Sequence, residues 1–138
     1  MHEWAIAQGV VTAISKIADE RGKTVYRVKI VVGELSGYEL DVLNTALKSL
    51  SMDTPLSEAL FEIVVEPTRF KCNFCGFKWG MDEAKKQLAE IFGAEDAETP
   101  MHYVPELAVA FLKCPKCGAP DFTIISGRGV RVAEVELA

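Results

Sequence analysis

A chain of 138 residues, 49% hydrophobic and 25% charged, has the composition of a soluble globular protein, enough for one core-bearing domain or for one carrying a small metal-stapled lobe. Its net charge of −5 argues against the basic face through which nucleic-acid binders grip phosphates. No apolar run approaches the roughly 18 residues that span a bilayer, and Met1-His2-Glu3 runs into helical pattern without a basic and then apolar leader, so a cytoplasmic protein with no membrane partner is expected.

Between His2 and Arg21, Ile6, Val10, Ile14 and Ile17 recur at helical spacing, with Ala13 and Ala18 widening the stripe and Gly22 as the stop. Tyr26, Val28, Ile30 and Val32 alternate with Arg27 and Lys29, which predicts a half-buried strand. The chain turns over Gly33 to Gly37. Leu40, Leu43, Leu47 and Leu50 then mark a second helix, and Phe61, Ile63 and Val65 a second strand that ends near Pro67. Further on, Ala84, Leu88, Ile91 and Phe92 share one face of a short helix with Asp82 as candidate N-cap. An acidic loop over 93–100 and an apolar run from Leu107 to Leu112 follow. Phe122 to Ile125 and Val130 to Leu137 read as two last strands joined by Ser126-Gly127-Arg128-Gly129.

All four cysteines fall in two C-x-x-C pairs, Cys72-Asn73-Phe74-Cys75 and Cys114-Pro115-Lys116-Cys117. Two thiolates three residues apart can grip one ion from a tight turn, and two such turns complete the tetrahedral S4 shell of a closed zinc site. Gly76 and Gly118 stand just past the turns, where a positive φ is often needed. Iron also takes S4 ligation. A disulfide would need an oxidising compartment, and a thioredoxin-like dithiol would leave one pair unexplained. The 38 residues between Cys75 and Cys114 exceed the usual ribbon spacing, so something is inserted between the knuckles. Residues 68–117 hold seven Lys/Arg and seven Asp/Glu, which leaves the ribbon neutral before its thiolates are counted.

The order α-β-α-β, ribbon, β-β predicts an α+β fold: a small sheet packed by two helices, with an inserted zinc-ribbon domain. Residues 1–66 plus 122–138 are expected to form the α+β domain, and 67–121 the zinc ribbon with its helical insertion. The final strand should return to join the strands over 25–32 and 60–66.

The amino terminus is the second place for chemistry. A histidine at position 2 can chelate through the terminal amine, its own main-chain nitrogen and imidazole Nδ1, and such planar nitrogen-rich sets suit Ni(II) or Cu(II). The first N–H groups of a helix have no intrahelical partner, which leaves them available for deprotonation. Glu3 sits well electrostatically in the first turn. The alternative is an exposed, inert His2, and His102 by itself reads as a surface or interface residue.

Met1-His2-Glu3 followed directly by Trp4 and a helix, Val32-Gly33-Glu34-Leu35 after the first strand, the paired knuckles and a glycine-led final strand together resemble the HypA family of hydrogenase nickel-incorporation proteins, over essentially the whole chain. The resemblance implies a nickel metallochaperone and not an enzyme. It implies Ni(II) carried at Met1 and His2 with Glu3 beside them, and structural Zn(II) on Cys72, Cys75, Cys114 and Cys117. It also implies transfer of nickel, with a HypB-type nucleotide hydrolase, to the [NiFe]-hydrogenase large subunit precursor. The long insertion resembles the archaeal type, for which His102, in Met101-His102-Tyr103, is implied to complete the nickel square in a partner-bound state. The domain over 1–66 plus 122–138 would then be the nickel-binding one.

A zinc-ribbon adaptor for proteins or nucleic acids, without nickel, is the competing reading, and the acidic balance counts against its nucleic-acid form. Gly127-Arg128-Gly129 lacks the G-x-x-x-x-G-K spacing of a phosphate loop. No serine or cysteine shows a His/Asp partnership for nucleophilic catalysis.

Overall fold

A computed structural model of the chain describes residues 2–93 and 109–138; Met1, the acidic stretch over 94–100 and His102 lie outside them. The elements are α1 (His2–Arg21), β1 (Val25–Gly33), a single 3-10 turn (Glu34–Ser36), α2 (Leu40–Ser51), β2 (Leu60–Glu66), β3 (Arg69–Cys72), β4 (Lys78–Gly80), α3 (Met81–Phe92), β5 (Phe122–Ser126) and β6 (Val130–Leu137). This is the α+β class expected from the sequence. The chain divides into two compact units, one of Met1–Val31, Tyr38–Val64 and Val130–Ala138, the other of Val32–Gly37 and Val65–Gly129.

In the first unit the strands run in the order β2-β1-β6, and α1 packs along α2 and against β6. Thr24 and Ala138 exchange both main-chain hydrogen bonds at the end of the β1–β6 pair. The face that α1 buries is Ala7, Val11, Ile14 and Ala18, one step round from the expected stripe, so Ile6 and Val10 are half-buried and Ile17 is exposed. Small side chains at Ala7 and Ala18 let the helix approach its neighbours closely, and fit decides the buried face over bulk hydrophobicity. From α2 come Leu43, Ala46 and Leu47, and from β1 Val25, Val28 and Ile30, all essentially closed to solvent. Each such leucine or isoleucine contributes about 1.5–3 kcal/mol by leaving water. Tyr26, expected inside, is exposed.

The outer surface of this sheet is tied by one cation. Arg27 on the central strand reaches Glu62 on β2 at 2.6 Å, and Glu134 and Glu136 on β6 at 3.1 and 3.4 Å. A single exposed pair would be worth little, but three carboxylates on one guanidinium link all three strands.

The second unit is built on the antiparallel sheet β4-β3-β5, with Phe70 opposite Trp79 on one side and Ile124 on the other. Phe70 stacks on Trp79 with centroids 5.4 Å apart, and Phe122 meets both edge-on at 5.5 and 5.4 Å. Those offset and edge geometries are the favoured ones for aromatic rings. Met81, Ala84 and Leu88 of α3 cover this cluster together with Leu112, Cys72, Cys114 and Leu35. The N-cap of α3 is Gly80 and makes no side-chain cap bond, so Asp82 lies in the first turn and is not the cap.

Two segments lie elsewhere than the sequence reading put them. Val32–Gly37 belongs to the second unit, because Leu35 is a member of its core. Phe122–Ser126, assigned to the α+β domain, pairs with β3, because Phe122 completes the aromatic cluster; only β6 joins the first sheet. Thr68, 1% exposed, fastens these pieces together. Its hydroxyl accepts the Leu35 N–H at 2.9 Å and donates to the Gly127 carbonyl at 2.7 Å, while its own N–H donates to Glu34 Oε1 at 3.2 Å. The backbones cross so closely that a Cβ on Gly33 would lie 2.3 Å from the Gly127 carbonyl carbon, and one on Gly127 2.3 Å from Thr68 Cα. Thr68→Val is expected to lower the denaturant stability of the chain by about 1–3 kcal/mol through the buried carbonyl it strands. Gly127→Ala, at φ +76° and with no room for a methyl group, should cost more and abolish the cooperative unfolding of this unit; both are checked by denaturant titration of Trp79 fluorescence.

Candidate metal centre

The two knuckles repeat one local design. In the first, the Cys72 N–H donates to the Phe77 carbonyl at 2.8 Å and the Gly76 N–H returns to the Cys72 carbonyl at 3.0 Å. The second has the Cys114 N–H on the Ala119 carbonyl at 2.9 Å and the Gly118 N–H on the Cys114 carbonyl at 2.8 Å. Gly76 and Gly118 hold φ of 80° and 77°, the left-handed conformation that glycine adopts without a Cβ penalty. These tight turns aim main-chain N–H groups at sulfur: Phe74 and Cys75 at Cys72 Sγ, both at 3.4 Å, and Cys117 at Cys114 Sγ at 3.5 Å.

The four sulfurs lie within 4.8 Å of one another, with Cys72–Cys117 at 3.5 Å and Cys75–Cys114 at 3.6 Å. A tetrahedron with zinc–sulfur bonds of about 2.3 Å has edges of about 3.8 Å, so the donor set fits a closed S4 site with every position filled by protein. All four cysteines are free thiols, and the closest approaches run between the two pairs, which is the arrangement of ligands around one ion. Among the described residues this is the group of metal-ligating side chains that converges. It is a structural zinc site: no ligand position is open for a water or a substrate.

Electrostatics oppose four bare thiolates at such range. The N–H of Cys75, and after it that of Phe74, hold the Cys72 thiol down to about 6. The Ala119 N–H favours the Cys117 thiolate too, but partial desolvation of its sulfur within the cluster and the three neighbouring thiols outweigh it and push Cys117 up to about 12. Without a cation the cluster therefore keeps protons that metal binding must displace.

Cys72 and Cys114 are buried while Cys75 and Cys117 are exposed, so each knuckle sets one ligand in the core and one at the surface. The first knuckle is braced by polar residues that carry no sequence signal beyond an asparagine in a turn. Asn73 donates from its main-chain N–H to the Asp121 carbonyl at 3.0 Å and from Nδ2 to Asp121 Oδ1 at 3.0 Å, and its Oδ1 accepts the Thr123 hydroxyl at 2.9 Å.

Of the amino-terminal residues singled out in the sequence, His2 is the first residue of α1 and is exposed. Glu3 is 5% exposed, and its Oε2 accepts the N–H of Glu39, the N-cap of α2, at 2.9 Å. Its carboxylate thus takes the N-cap N–H, the bond that an N3 glutamate makes in a capping box, while the side chain of Glu39 makes no cap bond. Met1 and His102 lie outside the described residues.

Zinc binding is expected to release protons and to weaken as pH falls. Cys117, pushed up to about 12, enters protonated near neutrality, and Cys72 joins it below about pH 6. Indicator-monitored zinc titrations at several pH values check the sign, and chelation of the metal at neutral pH should collapse the near-ultraviolet signal of the Phe70–Trp79–Phe122 cluster.

A family model described as hydrogenase/urease nickel incorporation, metallochaperone, HypA, matches residues 1–137. The hydrogenase maturation factor HypA of Thermococcus sibiricus is 36% identical over 138 residues, covering 99% of this chain and 96% of the relative. That of Pyrococcus furiosus is 38% identical over 136 residues, with 98% and 94% covered. The solution structure of the nickel metallochaperone HypA from Helicobacter pylori superposes with a TM-score of 0.61 at 16% identity, covering 99% of this chain and 97% of its own, which is a likeness of fold. With the family matched from end to end and its paired knuckles converged on one S4 site, the chain belongs to the HypA family of hydrogenase-maturation metallochaperones.

Proposed function

We propose that this protein carries Ni(II) at its amino terminus and delivers it to the [NiFe]-hydrogenase large subunit precursor in the cytoplasm. A HypB-type nucleotide hydrolase would act with it in the transfer, and the chain itself would catalyse no reaction. The observation that carries the reading is an exposed histidine as the first residue of α1, in a chain whose cysteines are all committed to a closed site elsewhere. With Met1 as the terminal residue, the amine, the main-chain nitrogens of the first residues and His2 Nδ1 are donors of the kind Ni(II) takes in a square plane. Those N–H groups belong to the first turn of a helix and have no intrahelical acceptor, so their deprotonation breaks no helical bond.

Nickel and zinc then partition by ligand softness, thiolate for zinc and imidazole with deprotonated amide for nickel. His102 is the side chain proposed to complete the nickel square. The first unit is in this reading the nickel-carrying domain and the second the zinc-stapled one. No nucleic acid or membrane enters the scheme.

Titrating zinc-loaded protein with Ni(II), followed by calorimetry and by the visible absorption of square-planar nickel, tests this directly. Wild type should take up about one nickel per chain, the expected stoichiometry of a single chelate. His2→Ala should lose it with zinc retained, and His102→Ala should weaken it or change the spectrum. Nickel uptake by His2→Ala equal to wild type sinks the amino-terminal site.

A further inference from the structure

The two knuckles are built alike but supported differently. Strand β3 leads into the first and β4 leaves it, and Asn73 ties it to Asp121 next to β5. The residue before the second knuckle, Lys113, lies outside the strands of that sheet. Its two main-chain groups are nevertheless both bonded, and to one side chain: Gln87 Nε2 donates to the Lys113 carbonyl at 2.7 Å, and the Lys113 N–H donates to Gln87 Oε1 at 2.9 Å. A primary amide used in this way reproduces the paired N–H···O bonds that a neighbouring strand would exchange with Lys113.

Gln87 lies on α3, inside the long insertion between the knuckles. The next residue on the helix, Leu88, is fully buried in the same cluster as Leu112 and Cys114. Apolar packing on one side of Lys113 and the amide clamp on the other leave Cys114 little freedom in how its Cα enters the turn. We infer that Gln87 is a positioning residue of the metal centre: it preorders the second knuckle, so that Cys114 and Cys117 stand in ligating geometry before the metal arrives and give it up slowly afterwards. The insertion is on this account the second knuckle's substitute for a flanking strand. Preordering raises affinity by lowering the conformational entropy lost on binding. The inference stands on the S4 site alone and is independent of where nickel binds.

The clamp bonds are exposed to solvent, so water can replace them and the chain should fold without them. The test is zinc release from the full zinc-loaded chain into excess chelator, with Gln87→Met as the near-isosteric variant that keeps helix propensity and removes both bonds. Release roughly five- to thirtyfold faster than wild type is expected, the range that two solvent-exposed hydrogen bonds can supply. Gln87→Glu, which keeps the acceptor for the Lys113 N–H and loses the donor, should fall between. Lys86→Met, one position away on the same helix, should release zinc at the wild-type rate. With cobalt(II) in place of zinc, Gln87→Met at saturation should show the wild-type tetrahedral thiolate spectrum, because ligands and final geometry are unchanged. Release from Gln87→Met within twofold of wild type would overturn the inference, and so would equal acceleration in Lys86→Met, which would assign the effect to the helix as a whole.

Discussion

Four cysteine sulfurs converging within 4.8 Å form a cluster that cannot carry four charges without a cation. Everything else in the second unit is arranged around that constraint. The main-chain N–H groups aimed at Cys72 and Cys114 lower part of the repulsion, and the metal supplies the rest. Because Cys72 and Cys114 are also members of the hydrophobic core, metal and aromatic cluster are not separable sources of stability. A knuckle that opens exposes Phe70, Trp79 and Phe122 to loosening, and a core that loosens moves two of the four ligands.

The same unit reaches back along the chain to take in Val32–Gly37. Leu35 enters its core, and Thr68 holds the Leu35 amide and the Gly127 carbonyl with one buried hydroxyl. Such a crossing requires backbones closer than any Cβ allows, which is why Gly33 and Gly127 stand there. The Val32-Gly33-Glu34-Leu35 motif thereby acquires a physical reason: it is a docking segment for the metal-bearing unit, with a glycine at the contact and a leucine as the anchor.

The amino terminus follows a different chemistry. His2 opens α1 with an imidazole exposed to solvent, and its acidic neighbour Glu3 spends one carboxylate oxygen on the N-terminus of α2. A side chain fixed in that way holds the start of α1 against α2. The cysteine sulfurs stand on tight turns and the His2 imidazole at a helix end, so soft and intermediate donors occupy different kinds of element.

Local spacing was enough to identify the metal site, because C-x-x-C followed by glycine encodes a turn whose geometry depends on five residues and little else. The helices over 2–21, 40–51 and 81–92 and the strands of the first sheet were legible for the same reason: periodicity is a local signal. Tertiary contacts decided what periodicity leaves degenerate. Ala7 and Ala18, and not Ile6 and Ile17, face inward because close approach of packed elements favours the smaller side. Phe122–Ser126 joins the metal-bearing sheet because Phe122 finds Phe70 and Trp79, a meeting between residues far apart in the chain. Gln87 looks like any solvated helix position until Lys113 is seen beside it. Spacing in the sequence determined which residues can hold a metal; the long-range packing of α3, β5 and Leu35 decided what holds those residues still.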